Sequence, residues 1–199
     1  MRTLKLQVQT TVDGYMAGPN GEMDWMNWNW DDALKNYVTA LTEPVDDIVL
    51  GRKLAQGFIP HWAAVAADAA HPEFNAGQKF TNTPKVVFTK TLEESEWDNT
   101  VLAKGNLVEE ITQLKNRPGG DLIAYGGATF VAALLEHRLV DELYLFVNPT
   151  AIGNGLPVFK TSGSKQQLSL VKATPFECGI VVLQYAPKRD GGIGSGSKG

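Results

Sequence analysis

The chain has 199 residues, 43% of them hydrophobic and 20% charged, with a formal net charge of −4. That length accommodates one domain with a sizeable core, and no shift in composition marks a second; the acidic balance excludes a general nucleic-acid or anionic-membrane surface, so an anionic ligand must be held by a local cluster of cations. A single cysteine, Cys178, excludes an internal disulfide and a Cys-x-x-Cys zinc or redox pair, and the lack of a signal-like amino terminus or a long apolar run leads to the expectation of a cytoplasmic protein.

From the amino end, Leu4, Leu6 and Val8 alternate with Lys5, Gln7 and Gln9, the period-two pattern of a strand. Thr10 to Gly14 follows with turn chemistry, and Tyr15 to Gly21 is expected to be a loop because Gly-Pro-Asn-Gly continues neither regular structure. Trp25, Trp28 and Trp30 then crowd together. Such a cluster either lids a flat ligand or caps the core, and its polar, glycine-flanked setting favours a substrate-pocket role for Trp25 and Trp28. Asp31-Asp32 opens a helix reaching Leu41, with Leu34, Tyr37, Val38 and Leu41 as its apolar stripe; acidic residues there cap free N–H groups and suit the helix dipole, which accounts for the pair without any chemistry. Pro44 ends this helix, and the buried-type strand Asp47 to Leu50 runs into Gly51-Arg52-Lys53, a glycine followed by two cations.

Gly57 to Pro60 reads as the close of a short segment, and Ala63 to Ala70 as helical. Lys85 to Phe88 is a further strand, ending in Thr89-Lys90, and a helix from Leu107 carries Leu107, Val108, Ile111 and Leu114 on one face. His61, His71 and His137 fit no metal-ligand spacing, so no metal site is assigned. Leu122 to Tyr125 then reads as a buried strand, Gly126-Gly127 as an abrupt turn, Phe130, Val131, Leu134 and Leu135 as a helical apolar face, and Leu143 to Val147 as the next strand, which together form a βαβ unit. A glycine pair at that junction either lets a pyrophosphate approach the helix N-terminus or only permits tight strand-to-helix packing. The strands ending in Gly51-Arg52-Lys53 and Thr89-Lys90 favour the phosphate cradle, since packing needs no convergent cations.

Leu168 to Ala173 and Ile180 to Tyr185, around a Pro175 to Gly179 turn, are expected to form an antiparallel hairpin; Cys178 beside that turn has no nearby base and receives no chemical role. The segment 189–199, almost wholly Gly, Ser and Lys from Gly191, reads as a flexible tail on a folded unit of residues 1–188. The alternation of elements predicts a three-layer α/β/α fold, with a mixed sheet of about eight strands, a parallel centre and a C-terminal antiparallel hairpin. The exposed sheet edge leads to the expectation of a homodimer.

Thr11 to Trp25, Ile48 to Lys53, Val86 to Lys90, Leu122 to Leu135 and Asp141 to Phe159, in this order and spacing, resemble the dihydrofolate-reductase-like superfamily. Within it the chain is similar to stand-alone relatives of the C-terminal reductase domain of riboflavin-biosynthesis deaminase-reductases, over nearly its whole length to Tyr185. The resemblance implies that Tyr125, Gly126, Gly127, Ala128 and Thr129 hold the pyrophosphate of NADPH. It places Gly51, Arg52, Lys53, Thr89 and Lys90 on the adenosine half with its 2′-phosphate, and Ala17 and Gly18 along the nicotinamide. A guanidinium gripping a phosphate through paired hydrogen bonds, with a lysine point charge beside it, agrees with NADPH over NADH.

Folate-reducing members place a carboxylate at the start of the helix after the loop, which carries a catalytic role to Asp32, with Asp31 beside it. Asp13 is the alternative, although Val-Asp-Gly reads as a turn former. The implied activity is that of an NADPH-dependent reductase resembling 5-amino-6-(5-phosphoribosylamino)uracil reductase, passing a hydride to a small heterocyclic or ribosylamino substrate. Dihydrofolate reductase-type pterin reduction and a non-catalytic nucleotide-binding homologue are the alternatives. No His-x-Glu with Pro-Cys-x-x-Cys occurs, so a cytidine-deaminase-type activity is not on this chain.

Overall fold

Side chains alternate in direction along the first strand, with Leu4, Leu6 and Val8 at 0–1% exposure in one core cluster and the polar Lys5, Gln7 and Gln9 on the opposite face, which is itself largely buried. The computed structural model describes residues 1–159 and 165–188, and the expected tail at 189–199 lies outside the described residues. In chain order the elements are β1 (Leu4–Thr11), β2 (Tyr15–Ala17), α1 (Asp32–Thr42), β3 (Val45–Gly51), α2 (Arg52–Ala67), α3 (Phe74–Asn82), β4 (Lys85–Phe88) and β5 (Thr100–Ala103). There follow α4 (Leu107–Asn116), β6 (Asp121–Tyr125), α5 (Ala128–Glu136), β7 (Glu142–Asn148), β8 (Leu156–Pro157), β9 (Leu168–Pro175) and β10 (Val181–Pro187).

Eight strands make one sheet in the order β5-β4-β3-β6-β1-β7-β10-β9. The strands from β5 to β7 run parallel, while β10 pairs antiparallel with both β7 and β9, as the expected hairpin requires. Helices cover both faces. Ile111 and Leu114 of α4 and Val131, Leu134 and Leu135 of α5 pack on Leu4, Leu6, Leu122 and Leu143. On the other face α2 and α3 bury Ala55, Ile59 and Phe80 against Ile48, Leu50 and Ile123, and α1 buries Leu34 and Leu41 against Tyr144, Phe146 and Val182. This is the three-layer mixed-sheet architecture that the alternation predicts.

The structure departs from the sequence expectations in four places. Tyr15–Ala17, expected in a loop, pairs with Leu156–Pro157 as a second, two-stranded sheet, which corrects the loop expectation. Gly155 permits this approach, since a Cβ there would collide with the Ala17 carbonyl oxygen. The segment expected to close at Pro60 instead lies inside the 16-residue α2. An interior proline costs about 3 kcal/mol, and Ile59, Phe58 and Trp62, packed into the core around it, supply the tertiary contacts that offset it. Helix α3 carries too few apolar residues to be legible, and β5 is only four residues long, an edge strand whose Val101 is 60% exposed.

Ion pairs gather at the amino ends of the strands. Arg2 meets Asp47 at 2.6 Å, Lys5 meets Asp121 at 2.8 Å and Lys115 meets Asp141 at 2.5 Å. Arg2 and Lys5 are each 7% exposed, so these carboxylates compensate cations that would otherwise be buried alone.

Candidate active site

Three strand ends that the sequence offers as cofactor contacts are neighbours in space. Strand β3 lies between β4 and β6, so Gly51, Thr89 and Gly126 lie side by side at the carboxyl edge of the parallel sheet. Ligands collect at that edge in open α/β sheets. Helices α2 and α5 begin there directly from β3 and β6, and neither has a side-chain cap or an acidic residue in its first turn. Helices α1 and α4, by contrast, are closed by Asp31 and Asn106. First-turn N–H groups left without side-chain partners are donors aimed at a region where an anion can sit.

The glycines at this edge divide into two kinds. A Cβ on Gly51 would come within 2.8 Å of the Phe130 Cβ, so Gly51 is required for α5 to pack against β3. A Cβ on Gly126 would meet nothing closer than Leu54 and Met16 at 3.8 Å, an ordinary contact. Gly127 has φ of 86° as the residue preceding α5, which favours glycine whatever the available space. Protein packing therefore explains Gly51 and backbone geometry explains Gly127, whereas neither demands a glycine at position 126.

Around this opening Arg52 is half-buried, with its guanidinium Nη1 donating to Gln56 Oε1 at 3.3 Å, and Lys53 is exposed. Neither forms an ion pair with a carboxylate among the described residues. Thr129 is exposed and Ala128 half-buried in the first turn of α5. Thr89 is buried and uses its hydroxyl oxygen to accept from the Thr91 and Leu92 N–H groups at 3.1 Å. Lys90 donates to the Lys104 and Gly105 carbonyls at 2.5 and 2.7 Å, which holds it on the β5 side. The Tyr125 ring stacks on Phe58 at 5.3 Å and meets Phe80 edge-on at 5.8 Å, so it packs beneath α2 and α3. Burial raises its phenol far above the usual value, and its Oη has no partner among the described residues.

Ala17 is buried in β2, and Gly18 donates its N–H to the Glu22 carbonyl at 2.8 Å. Trp25 is half-buried, with a buried Nε1 that has no partner among the described residues. Trp28 is 68% exposed and stacks on Trp30, which in turn stacks on Phe146 and donates Nε1–H to the Asn27 carbonyl at 2.9 Å. The tryptophan cluster thus divides between Trp30, an anchor in the core, and Trp25 and Trp28, which remain available at the surface or with an unused indole N–H.

The acidic residues have clear geometric duties. Asp31 Oδ1 accepts from the Leu34 N–H at 2.8 Å and its Oδ2 accepts from the Cys178 N–H at 2.9 Å, so one carboxylate both caps α1 and ties it to the β9–β10 turn. These backbone donors hold the Asp31 carboxyl below the usual carboxylate range. Such a group is ionised at neutral pH and has no proton to give, so its geometry is that of a cap. The Asp32 side chain is 96% exposed and lies 3.7 Å from Lys35. Asp13 accepts from the Gly153 and Ile152 N–H groups at 2.7 and 3.1 Å, and bonds from Thr11 and these amides hold its carboxyl low. It fixes the loop before β8, as a turn former.

Two polar residues escaped the sequence reading. Asn148, fully buried at the end of β7, donates Nδ2–H to Gln9 Oε1 at 2.9 Å and to the Phe146 carbonyl at 3.1 Å, and accepts the Asn27 N–H on Oδ1 at 3.1 Å. It therefore ties the tryptophan segment to two strand ends. Its only sequence signal is the Asn-Pro pair at a strand end. Gln7, 7% exposed on β1, has an Oε1 with no partner among the described residues, and alternation alone gave it no distinction.

A shallow concavity of about 410 Å³, lined by Val45, Asp46, Lys79 and Thr83, lies at the opposite, amino ends of the strands. Asp46 there already accepts the Gly120 N–H. No helix is long and apolar enough to cross a membrane, and no cluster of three His, Cys, Asp or Glu able to hold a metal occurs, among the described residues.

The geometry has known counterparts. The family model of the RibD C-terminal domain matches residues 2–182. The chain belongs to that family. Among curated proteins, this RibD C-terminal domain chain is 29% identical over 187 residues to the uncharacterized protein YyaP of Bacillus subtilis (strain 168), covering 92% of this chain and 94% of the relative. Among solved structures it is similar to a candidate riboflavin biosynthesis protein from Shewanella sp. PV-4, with a TM-score of 0.70, 26% identity and coverage of 94% and 99% of the two chains. A dihydrofolate reductase from Enterococcus faecalis, complexed with NADP(H) and RAB-propyl, matches with a TM-score of 0.60 at 16% identity, covering 94% of this chain and 97% of that one. The fold is therefore dihydrofolate-reductase-like.

Proposed function

We propose that the protein is an NADPH-dependent reductase that passes a hydride to a small heterocyclic or ribosylamino substrate, as 5-amino-6-(5-phosphoribosylamino)uracil reductase does. The observation that carries this reading is the pair of helix N-termini without side-chain caps beside Gly126, a glycine that neither packing nor backbone geometry demands. Membership of the RibD C-terminal domain family supports it, as does the NADP(H) bound to the fold relative from Enterococcus faecalis.

The residues fit the cofactor as a set of donors. The N–H groups of Ala128 and Thr129, with the Thr129 hydroxyl, are placed for a pyrophosphate. Arg52 and Lys53, without carboxylate partners, suit a 2′-phosphate. Thr89 contributes by shaping the turn beside them, and Lys90 joins only on leaving the Lys104 and Gly105 carbonyls. NADPH, when bound, supplies the hydride. Ala17 and Gly18 position the nicotinamide end, Trp25 and Trp28 cover the substrate, and Asp31 holds the start of α1 against the β9–β10 turn so that this cover stays in register. A cytoplasmic homodimer completes the proposal, supported by Leu170 and Val171 on edge strand β9, which are 56% and 58% exposed; light scattering on the purified chain tests the dimer.

Titration with NADPH, followed by quenching of tryptophan emission and with NADH in parallel, tests the cofactor assignment. Saturable binding, tighter for NADPH, is the expected result, and no saturation below millimolar concentration removes the reductase reading. Oxidation of NADPH with an aminopyrimidine but not with dihydrofolate separates the two reductase alternatives.

A further inference from the structure

On the face of the sheet covered by α1, α2 and α3, the two apolar clusters leave a polar seam. Tyr144, Phe146 and Val182 belong to the cluster under α1, and Ile48, Leu50 and Ile123 to the cluster under α2 and α3. Between them runs the polar side of β1. Lys5, at one end of the seam, is committed to Asp121 and the Leu41 carbonyl, and Gln9, at the other, accepts from Asn148. Gln7 stands between the two, in register with Tyr125 on β6 and Tyr144 on β7, and level with the last residue before the Gly126-Gly127 turn. The Tyr144 hydroxyl donates to Glu142 and accepts from Gln184, so that neighbour is satisfied. Gln7 is 7% exposed and its Oε1 has no hydrogen-bond partner among the described residues.

An amide oxygen buried without a partner costs about 1–3 kcal/mol. A leucine or methionine at position 7 would avoid that cost, so the position is occupied at the expense of stability. We infer that Gln7 is a specificity-determining residue that reads the N–H/C=O edge of a lactam-type heterocycle, its Oε1 accepting the ring N–H and its Nε2 donating to the adjacent carbonyl. The inference rests on the reductase reading for the placement of the reacting ring, since Met16, next to the Ala17 and Gly18 assigned to the nicotinamide end, reaches the glycine turn one residue beyond the level of Gln7. A carboxamide forms this two-point pairing with a lactam and loses it when the ring nitrogen is methylated, because the donor is gone.

The test compares 5,6-diaminouracil with its 1,3-dimethyl derivative as binding probes for the full chain, with and without saturating NADPH. Three proteins are measured: wild type, Gln7→Met and Gln7→Leu. Expected are a preference of roughly tenfold or more for the unmethylated probe in the wild type and loss of that preference in both variants. Their NADPH affinity should be unchanged, and their melting temperature unchanged or raised. Equal probe binding by wild type and Gln7→Met with NADPH binding intact overturns the role of Gln7 and leaves the reductase reading standing. Discrimination lost in Gln7→Met while no protein binds NADPH sinks the reductase reading and keeps Gln7. A wild type that binds neither probe, or binds both equally, overturns the inference. So does a fall in melting temperature in Gln7→Met, which would mean that the amide is held by the protein itself.

Discussion

Replacing Gly126 with alanine separates the two meanings a glycine can have at a strand-to-helix junction. The added methyl meets Leu54 and Met16 at 3.8 Å, beyond any clash, and the residue lies outside the left-handed region. An alanine at such a site removes unfolded-state freedom and stabilises by about 0.4–1 kcal/mol, a rise of roughly 1–4 °C for a chain of this size. The same methyl occupies the space through which a pyrophosphate would reach the first turn of α5. Losing one charge-assisted hydrogen bond costs about 1.5–3 kcal/mol, or roughly 10- to 150-fold in NADPH affinity. Thermal melting and NADPH titration of the same preparation report the two effects separately. Gly51→Ala is the matched control, because its Cβ would press on Phe130 at 2.8 Å. Overpacking of that kind costs about 1–3 kcal/mol, so its melting temperature should fall by roughly 2–12 °C. An alanine at 126 that binds NADPH as wild type does would refute the cradle, and one that melts several degrees lower would return Gly126 to a packing role.

Arg52→Ala should weaken NADPH far more than NADH in parallel titrations, and equal losses would remove the 2′-phosphate assignment. Asn148→Ala strands the Asn27 N–H and removes the partner of Gln9, so it should cost about 1–3 kcal/mol in denaturant unfolding while also loosening the tryptophan segment, read as greater quenching of Trp25 and Trp28 by acrylamide. The Asp31 carboxyl is held low in the folded chain by the Leu34 and Cys178 amides. The stability it contributes is therefore present above the ordinary aspartate value near 3.8 and is lost as pH falls through the lower, folded value. Asp31→Ala should flatten this acid limb in melting curves taken between neutral pH and the acid range, and an unchanged limb would show that the cap is not the titrating group.

The alternation Leu4-Lys5-Leu6-Gln7-Val8 and the apolar stripes of α1, α4 and α5 were legible because burial of one face imposes a period on the residues that form it. The glycine turn after β6 was legible for the same local reason, since backbone conformation is set within a few residues. Residues from Arg52 to Ala67 form one helix across Pro60 only because Phe58, Ile59 and Trp62 find a core built from β3, β4 and β6, far along the chain. The short β2 and β8 exist only as each other's partners.

Tertiary structure alone decided which glycine is spoken for and which is open, because Gly51 and Gly126 are alike in sequence and differ only in whether Phe130 stands over them. It also turned the Tyr125 ring under α2, gave Asp31 a second backbone donor from Cys178, and set Gln7 without a partner between two strands. A sequence specifies how a residue prefers to point along its own strand or helix. Which atoms it meets depends on strand order and register, which bring together residues more than a hundred positions apart, as Gln7 and Tyr125 are.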